Sequence, residues 1–70
     1  MTGREFIRKL KKLGSKKGIP VKLVHRRGKG SHATVFYGDV FAIIPDVRHE
    51  LKTGTLHAIL QKLGLNPADL

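Results

Sequence analysis

Two β-prone runs separated by only two residues, Gly38-Asp39, fix the centre of the fold. The runs span residues 32–37 and 40–44 and consist mainly of β-branched and aromatic residues. Such residues favour strands, and a two-residue connection containing glycine is typical of a tight hairpin. A third β-prone run, 19–26, has Pro20 near its start, which favours a position at a sheet edge because proline has no N–H to donate. The sequence therefore predicts three strands.

A helix with a single apolar stripe precedes the strands. Thr2 followed three residues later by Glu5 is a capping-box pattern that predicts the helix start. Gly14 is expected to end the helix, which leaves 15–18 as a loop. The apolar stripe consists of Phe6, Ile7, Leu10 and Leu13, and the polar face consists of Arg4, Arg8, Lys9, Lys11 and Lys12.

A second helix follows the hairpin after an irregular connection over 45–52. Thr53 is its expected N-cap and Gly64 its expected end, and Asn66-Pro67 is expected to open one last turn. Its stripe consists of Leu56, Ile59, Leu60 and Leu63.

The element order is α-β-β-β-α, an α+β fold in which both helices cover one face of an antiparallel three-stranded sheet. This is the shape of the double-stranded-RNA-binding domain, and residues 1–70 are expected to form one domain.

Positive charge is concentrated in the first half of the chain. Residues 1–30 carry eleven Lys or Arg and one acid, a net +10, whereas residues 31–70 carry three bases and four acids, a net −1. A cationic field of this kind attracts polyanions, of which nucleic acid is the commonest in a cell. The alternatives are a solvated basic face without a specific partner and, less favoured, a membrane surface, for which the basic stretch lacks an apolar aromatic face.

Two features that the sequence lacks limit the classes of protein to which it can belong. The chain has no cysteine, which excludes disulfides, thiolate nucleophiles and cysteine zinc sites. It has neither the apolar core of a signal peptide nor a stretch near the length of about 18 apolar residues that spans a bilayer. We therefore expect a cytoplasmic protein with no membrane association.

The strongest candidate for chemistry is the run from Arg26 to His32. Its small residues allow a phosphate to approach the backbone, and its cations flank a histidine. His32 is the expected general base or acid of RNA cleavage, a role that suits a side chain whose unperturbed pKa is about 6.5. The residues expected to bind the phosphate are Lys29, Arg27, Arg26, Gly30 and Ser31. The opposing interpretation is an ordinary surface histidine beside a plain hairpin turn.

The remaining histidines have weaker claims. His25, at a strand end, and His57, beside the stripe of the second helix, are expected to be structural or half exposed, whereas His49 lies in the connecting loop and could approach RNA. No His-Glu-x-x-His or clustered-carboxylate pattern is present, so we expect no metal site and no cofactor.

Two motifs together resemble a known family. Lys29-Gly30-Ser31-His32 before a hairpin, and then Glu50-Leu51, Gly54-Thr55-Leu56, Ile59-Leu60 and Gly64-Leu65, resemble the HicA toxins, the RNA-cleaving half of HicA/HicB toxin-antitoxin pairs. The resemblance implies a double-stranded-RNA-binding-like fold, metal-independent cleavage of mRNA, growth arrest and a HicB antitoxin that covers the active surface. It also implies that His32 is the catalytic histidine. The chain departs from the family pattern at Ser15, where an aromatic is usual, and at Pro45-Asp46-Val47, where the family has Pro-x-His.

The resulting hypothesis is a toxin endoribonuclease. The alternatives are a non-catalytic module that holds structured RNA on the same basic face, and a chain that sequesters a partner protein.

Overall fold

A computed structural model describes residues 1–25 and 32–70 of the chain. Helix α1 spans Gly3–Lys17 and helix α2 spans Thr53–Leu63. The strands between them are β1 (Val21–His25), β2 (Ala33–Tyr37) and β3 (Val40–Ile44), and a short 3-10 turn follows at Pro67–Asp69. The expected α-β-β-β-α order is therefore confirmed.

The three strands form one antiparallel sheet in the order β1-β2-β3. Within it, Val35 is paired with Leu23 on one side and with Ala42 on the other. The two-residue turn between β2 and β3 is confirmed, and Gly38 adopts a φ of 61° there, which favours glycine. Strand β1 lies at a sheet edge, as Pro20 predicts.

One face of the sheet packs against both helices. Alternate residues of β2 (Ala33, Val35 and Tyr37) are buried together with Ala42 and Ile44 of β3. They meet Phe6 and Leu10 of α1 and Ile59, Leu60 and Leu63 of α2 in one core cluster. Successive strand residues point to opposite faces, so Phe36, Phe41 and Ile43, which alternate with the buried residues of β2 and β3, lie on the other face and are exposed.

The predicted end of α1 is wrong. The helix continues through Ser15, Lys16 and Lys17, and Gly18 ends it with a φ of 69°. Gly14 is instead a packing residue, since a Cβ atom there would lie 2.6 Å from the carbonyl oxygen of Ile19 and 2.6 Å from a methyl group of Val21. The glycine is therefore required by the close approach of the following chain to α1.

The start of α2 also differs from the prediction. Lys52 occupies the N-cap position without a side-chain hydrogen bond, and Thr53 is the first helical residue. The predicted end at Gly64 is confirmed, with a φ of 72°. The last turn begins after Asn66 as expected, and the Asn66 N–H donates a hydrogen bond of 2.9 Å to the carboxylate of Asp69.

The N-terminus is tied to the connection between β3 and α2. Thr2 forms an isolated antiparallel bridge with Glu50, and the Leu51 N–H donates to the carbonyl of Met1 at 2.9 Å. The predicted capping box is present, because the Glu5 N–H donates to the Thr2 hydroxyl while the Thr2 N–H donates to the Glu5 carboxylate, both at 3.2 Å. These bonds fix the segment 45–52 against the start of α1.

Candidate active site

Three chain segments meet at one end of the sheet. Strand β1 ends at His25, β2 begins at Ala33 and β3 ends at Ile44, and the register pairs Ala33 with both of the others. Paired residues of an antiparallel sheet have Cα atoms about 4.5–5.5 Å apart. The end of β1, the start of β2 and the end of β3 therefore lie side by side at the same end of the sheet.

His32 lies directly before β2 at this end and is exposed. Because Ala33 and Val35 point towards the helices, the alternation along β2 places residue 32 on the opposite side of the sheet, with Thr34 and Phe36. The predicted catalytic histidine is thus on the surface, directly before the central strand, which pairs with a neighbouring strand on each side. The phosphate-binding residues predicted beside it, namely Arg26, Arg27, Lys29, Gly30 and Ser31, lie outside the described residues.

A second histidine in the connection after β3 is held by a carboxylate. The His49 Nδ1 atom forms a hydrogen bond with the Asp46 Oδ2 atom. The other carboxylate oxygen, Oδ1, accepts a 2.9 Å hydrogen bond from the backbone N–H of Arg48. Asp46 is therefore fixed by the loop backbone and in turn orients the imidazole, whose side chain is 73% exposed.

This Asp46–His49 pair is a typical acid–base arrangement. A carboxylate at one ring nitrogen orients the imidazole, which leaves the other nitrogen to exchange a proton with a substrate. The sequence indicates that His49 could approach RNA, but it does not identify Asp46 as the partner of His49. The signal was the Asp-x-x-His spacing in a loop that follows a strand.

The other two histidines line other surfaces. His25, which pairs with Ala33, is on the helix side of the sheet, where it lines a groove with Arg4, Arg8 and Lys11. It is exposed, and it lies at the end of a strand as expected. His57 is exposed on α2 and lines a shallow cleft with residues of the C-terminal segment, Leu65 to Pro67.

The face of the sheet opposite the helices is apolar and exposed. Phe36, Phe41 and Ile43 retain 36%, 47% and 48% of their accessible surface. The rings of Phe36 and Phe41 lie 5.7 Å apart, and the ammonium group of Lys62 lies 5.3 Å from the Phe41 ring. An apolar patch of this kind on a small domain is typical of a surface that binds another molecule.

Within residues 1–25 and 32–70, no three His, Asp or Glu side chains converge to hold a metal ion. No helix in that part of the chain is long and apolar enough to cross a membrane.

Comparisons with protein-family models, with curated proteins and with solved structures find no match to this chain. The resemblance to the HicA toxins thus depends on the sequence motifs alone.

Proposed function

We propose that this protein is the toxin of a toxin-antitoxin pair and cleaves mRNA in the cytoplasm as a metal-independent endoribonuclease, with His32 as its catalytic histidine. The observation that carries the proposal is that His32 precedes β2 at the same end of the sheet from which the loop of the Asp46–His49 pair follows β3. The strongly basic segment 26–31 joins β1 to β2 at that same end. Titratable groups and cations together can cleave a phosphodiester through its 2′-hydroxyl without a metal.

The roles follow from the chemistry of the reaction. His32 removes the proton of a ribose 2′-hydroxyl, whose oxygen attacks the adjacent phosphorus while the bond from phosphorus to the 5′ oxygen breaks. His49, oriented by Asp46, donates a proton to that leaving oxygen. The products are a 2′,3′-cyclic phosphate and a 5′-hydroxyl. Lys29, Arg27 and Arg26 neutralise the charge that develops on the phosphate, and Gly30 and Ser31 allow their backbone to approach it.

A HicB-like antitoxin is the protein partner in this proposal. The exposed apolar face with Phe36, Phe41 and Ile43 supports such a partner, because burial of these side chains would supply a hydrophobic contact. His32 lies on the same side of the sheet by the alternation of β2, so a protein seated there would cover it. An acidic antitoxin would also complement the net charge of +9.

Cleavage of end-labelled single-stranded RNA in excess EDTA tests the enzyme. We expect cyclic-phosphate ends with the native chain and a loss of about 10² to 10⁴ in rate with His32→Ala, the usual contribution of a general base. His49→Ala and Asp46→Asn should also slow cleavage, whereas His57→Ala, which alters the histidine on α2, is the matched control and should not.

Binding of an uncleavable 2′-O-methyl RNA distinguishes chemistry from affinity. His32→Ala should bind it within a few-fold of the native chain, whereas Lys29→Ala should bind it less tightly and with a smaller salt dependence. No cleavage of free RNA or of RNA on translating ribosomes, together with salt-sensitive binding, would replace this proposal with the non-catalytic RNA-binding module. Equal cleavage by the native chain and His32→Ala would remove His32 from the mechanism.

A further inference from the structure

A groove of about 420 Å³ runs between α1 and β1, on the helix side of the sheet. Its rim is cationic and its floor is apolar. The rim consists of Arg4, Arg8 and Lys11 together with His25, and the floor consists of Ile7, Leu23 and Val47. None of the cations belongs to the segment 26–31 that the proposed cleavage reaction uses.

Helix geometry gathers the three rim cations. Residues spaced i, i+4 and i+7 lie on one side of a helix, so Arg4, Arg8 and Lys11 face β1. Lys9, Lys12 and Lys16 lie on the other flank of α1, where they line a separate cleft with Asp69 and Leu70. The basic face predicted from the sequence is therefore two surfaces, and only one of them has a partly apolar wall from the sheet.

The rim cations are available to an anion. Among residues 1–25 and 32–70, no carboxylate forms an ion pair within 4.0 Å of Arg4, Arg8 or Lys11. The nearest acid in sequence, Glu5, interacts with Arg8 only at longer range, and its carboxylate is held by the Thr2 N–H. The charge of the rim is thus not neutralised within the described part of the protein.

The apolar floor of the groove indicates which second group the anionic ligand would carry. Ile7 and Val47 are each only 6% exposed and belong to the core, so the floor is firm. A flat apolar group can lie on it while a phosphate meets the rim, and an unstacked nucleotide has this combination of groups. A duplex keeps its bases stacked inside, and its surface offers phosphates and sugars to the cations but no base to the floor.

We propose that this groove binds one nucleotide of single-stranded RNA, with the base against Ile7, Leu23 and Val47 and the phosphates on Arg4, Arg8 and Lys11. His25 donates a hydrogen bond at the rim. The inference rests on the proposed function for the identity of the ligand and adds a second contact point to it. Because His25 and His32 flank the basic segment 26–31 in the chain and lie at the same end of the sheet, an RNA strand held in the groove is anchored at the end of the sheet where cleavage is proposed, on the opposite side of the sheet from His32.

Two variants of equal charge test the groove. One replaces Arg4, Arg8 and Lys11 by Ala, and the other replaces Lys9, Lys12 and Lys16 by Ala. Each removes three of the +9 charges and leaves +6. Both sets are exposed on α1, where alanine favours the helix, so neither variant threatens the fold. Circular dichroism checks this directly.

The ligand is a labelled 2′-O-methyl RNA of about a dozen nucleotides, which binds without being cleaved. We expect the groove variant to raise the Kd for the single strand about tenfold or more. The control variant should raise this Kd only about two- to threefold, through the lost attraction to phosphates. His25→Ala should weaken it modestly. With a duplex of the same sequence, the two triple variants should lose affinity equally.

Equal losses on the single strand would overturn the groove as a site and leave only general attraction between charges. A groove variant that loses more affinity for the duplex than for the single strand would overturn the preference for an unpaired base. Neither result depends on catalysis, because the ligand lacks the 2′-hydroxyl nucleophile. Conversely, the protein could fail to cleave RNA and still bind it in a way that depends on the groove. That result would overturn the proposed endoribonuclease activity and keep the groove as an RNA-binding site.

Discussion

At the scale of single residues, two helical glycines have opposite expected effects on stability. Helix propensity alone predicts that replacing either by alanine stabilises the protein by about 0.5–1 kcal/mol. A Cβ at Gly54 meets nothing within 4 Å, so Gly54→Ala should show that gain. A Cβ at Gly14 would lie 2.6 Å from a backbone oxygen, so Gly14→Ala should destabilise by about 1–3 kcal/mol, as overpacking does.

Urea unfolding of the two variants measures this difference. If Gly14→Ala stabilised the protein as much as Gly54→Ala, the close approach of β1 to α1 would be wrong, and with it the position of the groove wall. The contact made at Gly14 also explains why the sequence predicts the end of α1 at the wrong residue. A glycine in a sequence indicates either a helix end or a close contact, and only the tertiary structure distinguishes the two.

At the scale of elements, the start of α1 makes stability depend on pH. The hydrogen bonds from the Thr2 backbone N–H and hydroxyl lower the pKa of the Glu5 carboxyl below its ordinary value of 4.5. A carboxyl whose pKa is lower in the folded chain stabilises the fold at neutral pH, and this contribution is lost as the pH falls through the folded pKa. Glu5→Gln keeps the amide acceptor of a capping box but removes the charge.

We expect Glu5→Gln to be less stable than the native chain near neutral pH, and the difference to disappear as the pH falls from neutral through the folded pKa of Glu5. The measurement is the urea midpoint of both proteins across this range. Asp39→Asn, in the turn between β2 and β3, removes a carboxylate that caps no helix and should not reproduce the convergence. A constant difference between Glu5→Gln and the native chain at every pH would show that the charge of Glu5 does not contribute.

Elements with strong local patterns could be predicted from the sequence, whereas contacts between elements could not. The capping box of α1, the Gly38-Asp39 hairpin and the turn at Asn66-Pro67 each depend on residues close together in the chain, and all three are confirmed. The side of the sheet to which His25 belongs depends on the strand register. Likewise, the division of the α1 cations into two surfaces depends on where β1 packs.

At the scale of the whole molecule, the charge distribution opposes folding. On α1 the like-charged pairs Arg4–Arg8, Arg8–Lys12 and Lys12–Lys16 are each spaced i, i+4. Each such pair destabilises a helix by about 0.2–0.5 kcal/mol, so the three together cost about 1 kcal/mol. Salt screens this repulsion, since the Debye length falls from about 10 Å at 0.1 M to about 3 Å at 1 M.

We therefore expect the Tm to rise by about 4–8 °C between low and high NaCl, which corresponds to about 1 kcal/mol for a domain of this size. Arg8→Gln, which removes two of the three pairs, should raise the Tm at low salt and reduce its salt dependence. A Tm that is independent of salt in both proteins would show that repulsion along α1 is negligible.

Arg8 also lies on the rim of the groove, so the same substitution should weaken RNA binding while it stabilises the fold. That opposite pair of effects is expected of a residue whose position serves a ligand, because a bound phosphate relieves the repulsion that the free protein carries.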